Sequence, residues 1–172
     1  VNSYIRLVLD EVFGKANFRN WITWHYYNKY STAKNCYPRA HDDILFYGKS
    51  PHSSLNEARE KRLQPVKQLV RENVDGVLKN ARDENGNLMY RMSYDKKIDD
   101  VWRIPQLQFA SAEWTGYATQ KHHNLIERII EVSSNEGDLV GDFFCGSGTT
   151  GAVAERLGRR WVMADLGRFA IH

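Results

Sequence analysis

Three glycines near the end of the chain, Gly146, Gly148 and Gly151, follow the spacing G-x-G-x-x-G. Asp142 lies four residues before the first of them and Asp165 nineteen residues after it. Glycines so spaced let a backbone turn tightly and approach a ligand closely, and they let a helix pack on a strand. The amides that open the following helix are free donors for an anionic group. An acid about 20 residues on, at the tip of the next strand, is placed to bond ribose hydroxyls. Cys145 beside the turn reads as a small packing residue rather than a nucleophile.

The elements that must position these residues are legible around them. Gly137-Asp138-Leu139-Val140 runs short and apolar, as a buried strand does. Ala152, Val153, Ala154 and Leu157 form a short helical pattern that Gly158 is placed to end. A second strand, Arg160–Ala164, then delivers Asp165. Upstream, Ile5, Val8, Leu9, Val12 and Phe13 predict a helix over 2–13 with one buried stripe. Trp21–Trp24 and Asp43–Gly48 read as strands, the second closed by Lys49-Ser50-Pro51. Between them, His25–Asn35 is polar and aromatic without a period and reads as a loop. Tyr26, Tyr27, Lys29, Tyr30 and Lys34 are the candidate base-stacking and phosphate-holding residues there; a tyrosine-rich cap over a core is the other reading.

Composition shifts at Ser50. Residues 50–80 are polar and basic, with apolar residues at roughly helical spacing broken at Pro65, and predict helical pieces. Their basic face suits nucleic acid or plain solvent. A turn at Asp83–Asn87 and a strand-like stretch at Leu88–Tyr94 follow. Val101–Pro105 leads to a helix with Leu125, Ile126, Ile129 and Ile130 on one face, for which Thr119 is the expected N-cap. His122 and His123 open it and are expected to face solvent, with no metal.

The 172 residues suit one domain with an insertion. Apolar residues make up 42%, enough for a core, and no run approaches the roughly 20 residues of a membrane span. No signal peptide is visible, and Cys36 and Cys145 read as free thiols, so the expected location is cytoplasmic. The net charge of +3 permits an acidic partner without requiring one.

Two ligands suit the glycine turn: the pyrophosphate of a nicotinamide cofactor, or S-adenosylmethionine. A dinucleotide fold starts with this unit and continues for four or more strands; here almost nothing follows. The carboxylate of Asp142 suits a cationic amino group and repels a pyrophosphate. Both points favour S-adenosylmethionine, and a NAD-dependent oxidoreductase remains the alternative enzyme.

Thr119-Gln120-Lys121, Leu125–Ile130, Gly137-Asp138 and Asp142–Thr150 together resemble the amino-group DNA methyltransferases of restriction-modification systems, in the permuted β order. Leu9–Gly14, Asn17-Phe18, Trp21–Trp24, His41–Lys49 and Asp100–Pro105 extend the resemblance. It implies a Rossmann-like α/β fold of the S-adenosylmethionine-dependent methyltransferase type, with an incomplete sheet and a mostly helical insertion. It divides the chain into a partial catalytic half (1–49), a target-recognition insertion (50–100) and a cofactor half (101–172). It implies methyl transfer from S-adenosylmethionine to the exocyclic amine of a base in double-stranded DNA, adenine more than cytosine. Asp142, Phe143, Phe144, Cys145, Gly146, Ser147, Gly148, Thr149 and Thr150 would surround the methionine part, with Thr119, Gln120 and Lys121 at its carboxylate and Asp165 on the ribose. His122 stands where the family has proline. The Asp/Asn/Ser-Pro-Pro-Tyr/Phe tetrapeptide of the family does not occur, so the chain reads as a C-terminal part with no catalytic residue of its own. A non-catalytic cofactor- or DNA-binding remnant is the further alternative. A homodimer and a restriction subunit are partners the resemblance leaves open.

Overall fold

The computed structural model describes residues 2–30, 33–50, 52–53 and 55–167. Ser31, Thr32 and Pro51, which the sequence places in the aromatic loop and after the second strand, lie outside the described residues. The chain forms two compact units, one of 1–56 with 99–172 and one of 57–98.

In the first unit, helix α1 (Asn2–Phe13) leads through a 3-10 turn (Lys15–Asn17) into β1 (Phe18–His25) and β2 (His41–Tyr47). These strands pair antiparallel, and β7 (Val101–Arg103) joins the other edge of β1 in parallel. Trp24, Tyr26, Trp102 and Ile104 are buried here, and the Trp24 indole donates to the Ile104 carbonyl at 2.8 Å. Each large apolar side chain so buried contributes about 1.5–3 kcal/mol. The second part is a β-α-β unit: β8 (Leu139–Asp142), α3 (Thr149–Arg156) and β9 (Arg160–Met163), with β8 and β9 parallel. Helix α2 (His123–Ser133) packs on α3, and Ile130, Val153 and Ala154 form the core with Ile126, Val140 and Leu157. Gly158, at φ +72°, closes α3 as the sequence predicts, because a left-handed residue there spares a side chain the strain. The two strand groups share no ladder among the described residues, so the sheet is incomplete.

Several expectations are corrected. Helix α1 occupies 2–13, but its apolar stripe is uncovered: Val8 is 58% and Val12 68% exposed. A polar contact docks the helix instead. Arg6 donates to Asp10 at 2.9 Å, the Tyr47 hydroxyl donates to the same carboxylate at 2.8 Å, and the Arg6 guanidinium lies over the Phe18 ring. These contacts hold the Asp10 carboxyl below its ordinary value, the Arg6 bond first. Helix α2 is capped by His122, whose ring nitrogen accepts from the Asn124 amide, and not by Thr119. His122 and His123 do not face solvent freely; both are part-buried beside the Glu113 carboxylate.

The second unit overturns the helical reading of the insertion. It is built of β3 (Arg59–Leu69), β4 (Arg71–Val74), β5 (Val77–Asn80) and β6 (Tyr90–Lys97). β3 pairs antiparallel with β6, and β4 with β5. Pro65 does not break a helix. It sits where the β3–β6 register shifts between Lys61 and Val66, a bulge that tolerates a residue lacking an amide proton. Asp75 and Gly76, at φ +53° and +81°, form the two-residue turn between β4 and β5. The Asp83–Asn87 turn forms as read, with both Asn85 and Asn87 amides on the Asp83 carboxylate. No helix among the described residues is long and apolar enough to cross a membrane.

Candidate functional site

The glycine turn joins β8 to α3. Asp142 ends β8, and its carboxylate accepts from the Phe144 amide at 3.0 Å and from the Thr150 hydroxyl at 2.6 Å. One aspartate thus holds both sides of the turn. Gly148 precedes α3 at φ +74° with open space where a side chain would stand, and no side chain caps the helix. The opening amides of α3 are therefore available to a ligand, and the macrodipole favours negative charge there. Thr149 is buried, its hydroxyl 2.9 Å from that of Ser147. Phe143 and Phe144 are 63% and 87% exposed beside the turn.

Asp165 follows β9 and reaches back across the turn. Its carboxylate accepts from the Gly146 amide and the Gly167 amide, each at 2.8 Å. The Gly167 and Gly146 amides, in that order, hold its carboxyl below the usual carboxylate range. Each oxygen keeps a lone pair for a hydroxyl donor. Cys145 is part-buried, and burial first, then the Asp165 and Asp142 charges, push its thiol up. That agrees with a packing role and disfavours a nucleophilic thiolate.

Tyr117, which sequence reasoning did not single out, lies against the turn. A side-chain carbon on Gly146 would come within 2.8 Å of its ring. The 117–121 segment therefore touches the glycine turn at one end. At the other it lines a cleft of about 510 Å3 with Trp24, Lys29, Tyr30, Asp42, Phe109 and Trp114. Gln120 is engaged within its own loop: its amide oxygen accepts from the Thr115 amide and hydroxyl, and its nitrogen donates to the Glu113 carbonyl, which leaves one N–H donor. These bonds shape the segment. Lys121 donates to the Thr119 carbonyl at 2.9 Å and has two further donors. Asn28 exchanges hydrogen bonds with the Gln106 backbone at 2.8 and 2.9 Å and holds the floor of the cleft together.

The aromatic loop divides. Lys29, Tyr30 and Thr119–Lys121 meet in the cleft, and Tyr27 and Lys34 are exposed. Tyr26 is 2% exposed, its hydroxyl on the His41 carbonyl and its ring edge-on to Trp24; it caps the core and is no DNA contact. The density of aromatics between Phe109 and Tyr117 is the sequence signal that would have marked this second wall.

Comparison with known proteins places this geometry. The chain is 33% identical to the type II methyltransferase M1.MboII of Moraxella bovis over 161 residues, 87% of this chain and 58% of that protein. It is 33% identical to the DNA adenine methyltransferase YhdJ of Escherichia coli (strain K12) over 145 residues, 84% of this chain and 47% of that protein. The chain thus spans about half the length of the curated relatives it matches. The solved structure of an M1.HpyAVI-SAM complex shares the fold at a TM-score of 0.56 and 21% identity, over 98% of this chain and 67% of that one. The profile of the family described as DNA methylase matches residues 2–172, and the chain belongs to that family.

Proposed function

We propose that this chain supplies the cofactor half of an enzyme that methylates the exocyclic amine of a base in double-stranded DNA, with S-adenosylmethionine as donor. The observation that carries the reading is the turn itself: Asp142 at its start, Asp165 across it, and a helix start with unclaimed amides. The donor set suits that cofactor. Asp142 offers a carboxylate toward a cationic amino group, the α3 amides suit the methionine carboxylate, and Asp165 has lone pairs for ribose hydroxyls. Phe143 and Phe144 offer ring faces to the adenine. Bound there, the cofactor supplies an electrophilic methyl group on a sulfonium.

The residues of this chain bind and orient; they donate no nucleophile. Tyr117 seats the 117–121 segment on Gly146, and the cleft beyond it has the aromatic walls that hold a base turned out of a duplex. Lys29 and Lys121 at its edge suit the flanking phosphates. The base-holding Pro-Pro tetrapeptide is no part of these residues, so we assign none of them a catalytic role. Adenine as target is supported by the likeness to YhdJ.

Titration calorimetry of the chain with S-adenosylmethionine and with NAD tests the cofactor assignment. Binding of the first and its loss in Asp142→Ala are expected; NAD binding in its place overturns the assignment. Nucleoside analysis of DNA treated with the full-length protein tests the target. N6-methyladenine is expected, and N4-methylcytosine alone would reverse the base.

A further inference from the structure

Residues 111–122 lie between β7 and α2 and carry no helix or strand of their own. One side chain closes this stretch on itself. The Oε1 of Gln120 accepts from the Thr115 backbone N–H and from the Thr115 hydroxyl, each at 2.8 Å. Its Nε2 donates to the Glu113 carbonyl at 2.6 Å. The backbone N–H of Gln120 donates to the Tyr117 carbonyl at 3.1 Å. These bonds tie 113–120 into a loop pinned at Gln120. A glutamine oxygen has two lone pairs, and both are taken here. Gln120 therefore has no acceptor left for a cationic amino group.

The pinned loop spans two anchors. At its base the Glu113 carboxylate accepts from the backbone N–H of His123, the first residue of α2, at 3.3 Å. The Glu113 backbone N–H donates to the Ser111 hydroxyl at 3.3 Å. Helix α2 in turn packs on α3. Between the bonded residues Thr115 and Gln120 stands Tyr117, whose ring fills the space beside Gly146. Gly146 is the residue whose amide the Asp165 carboxylate accepts at 2.8 Å. A path of direct contacts thus runs from Gln120 through Tyr117 to the turn that holds Asp165.

We infer that Gln120 is a positioning residue: with Glu113 and Thr115 it locks 113–120 in the shape that presses Tyr117 on Gly146, and it acts on cofactor binding through that ring and not by touching the ligand. The proposal rests on the S-adenosylmethionine reading above and gives Gln120 a different part in it from the one the family resemblance implies.

The test uses the full chain. Calorimetry with S-adenosylmethionine compares Gln120→Ala, Tyr117→Ala and the double variant. Gln120→Ala is expected to weaken binding by about 5- to 30-fold. The double variant is expected to bind within about 2-fold of Tyr117→Ala, because two residues that act through one contact are not additive. Losses that multiply in the double variant overturn the proposal, since a direct ligand contact adds independently; so does a Tyr117→Ala variant that binds as the wild type. Thr115→Val removes one hydroxyl bond at nearly constant shape and is expected to lose about 2- to 12-fold. Thr115→Ser keeps the hydroxyl and is expected to bind as the wild type; equal affinity in the two Thr115 variants overturns the proposal. This pair carries the test if Gln120→Ala does not fold, which circular dichroism decides. 3-Fluorotyrosine placed at 117 alone reports the ring without any cofactor. Its fluorine resonance is expected to move toward that of the free amino acid in Gln120→Ala and Thr115→Val and to stay in place in Thr115→Ser. A resonance unmoved in the first two overturns the proposal. A wild type that binds no S-adenosylmethionine while the resonance behaves as stated overturns the cofactor assignment alone.

Discussion

Gly146 is the residue on which the cofactor turn depends most. It combines a left-handed backbone, φ +49°, with a Tyr117 ring in the space a side chain would take. Gly146→Ala incurs about 1–2 kcal/mol for the backbone and must also displace the ring. The expected result is a loss of S-adenosylmethionine affinity of at least about 10-fold, read by calorimetry. Adding Tyr117→Ala should return only the part due to the clash, and a double variant no better than Gly146→Ala would show that the ring had already moved aside. Asp165 governs the same turn through charge. Its folded carboxyl is held low, so its contribution is complete above the ordinary carboxylate value of about 4 and is lost as pH falls through the lower folded value. Thermal unfolding followed from pH 7 to pH 3 should therefore fall more steeply in the wild type than in Asp165→Asn. Parallel curves would mean that the Gly146 and Gly167 amides do not depend on the charge. Both acids and all three glycines were legible from spacing alone. Tyr117 was not, because a lone aromatic between small residues has no period and its contact with Gly146 spans 29 positions.

The elements divide by how local their cause is. The β8-α3-β9 unit could be read because strand, glycines, helix and acid lie in one short stretch, each supporting the next. The 57–98 unit was misread because its apolar residues fall by chance at helix-like intervals, while its true organiser is a two-residue signal. Val74-Asp75-Gly76-Val77 is an Asp-Gly pair between apolar residues, among the strongest short-range hairpin signals. Pro65 then reads as a bulge rather than a helix break. This assigns the hairpin a specific weakness. Gly76 has φ +81° and nothing within 4 Å of a side chain placed there, so Gly76→Val meets no clash and incurs only the backbone cost, about 1–2 kcal/mol. Hydrogen exchange should speed up at the β4 and β5 amides and stay unchanged at β8 and β9. Equal acceleration in all four strands would refute independent folding of the hairpin. Helix α1 shows the opposite failure. Its period was right and the burial of its stripe was not, since pattern reports which face is apolar and not whether anything covers it.

At the scale of the whole molecule, the unit of 57–98 closes on a narrow neck of its own. The Ile98 amide donates to the Ala58 carbonyl at 3.1 Å, so the insertion begins and ends at one place. Asn56, just before it, is anchored without its help. Its amide donates to the Val132 carbonyl, and its side chain donates to the Glu131 and Ser134 carbonyls, which also satisfies the end of α2. Closing such a neck with a short flexible linker adds little loop entropy, because that cost grows only slowly with length. Replacing 57–98 by a few glycines and serines should therefore leave the cofactor turn intact and its S-adenosylmethionine affinity within about 0.5 kcal/mol, as for sites that act independently. The same replacement removes the chain's entire net positive charge, so duplex affinity should fall sharply and the remaining binding should lose most of its salt dependence. Calorimetry and fluorescence anisotropy on the one protein separate the two outcomes. Loss of both cofactor and DNA binding would show that the insertion is structurally required by the unit that carries it. Loss of neither would move the DNA contact to the aromatic cleft at Lys29, Phe109 and Trp114, the other surface with the chemistry to hold a base.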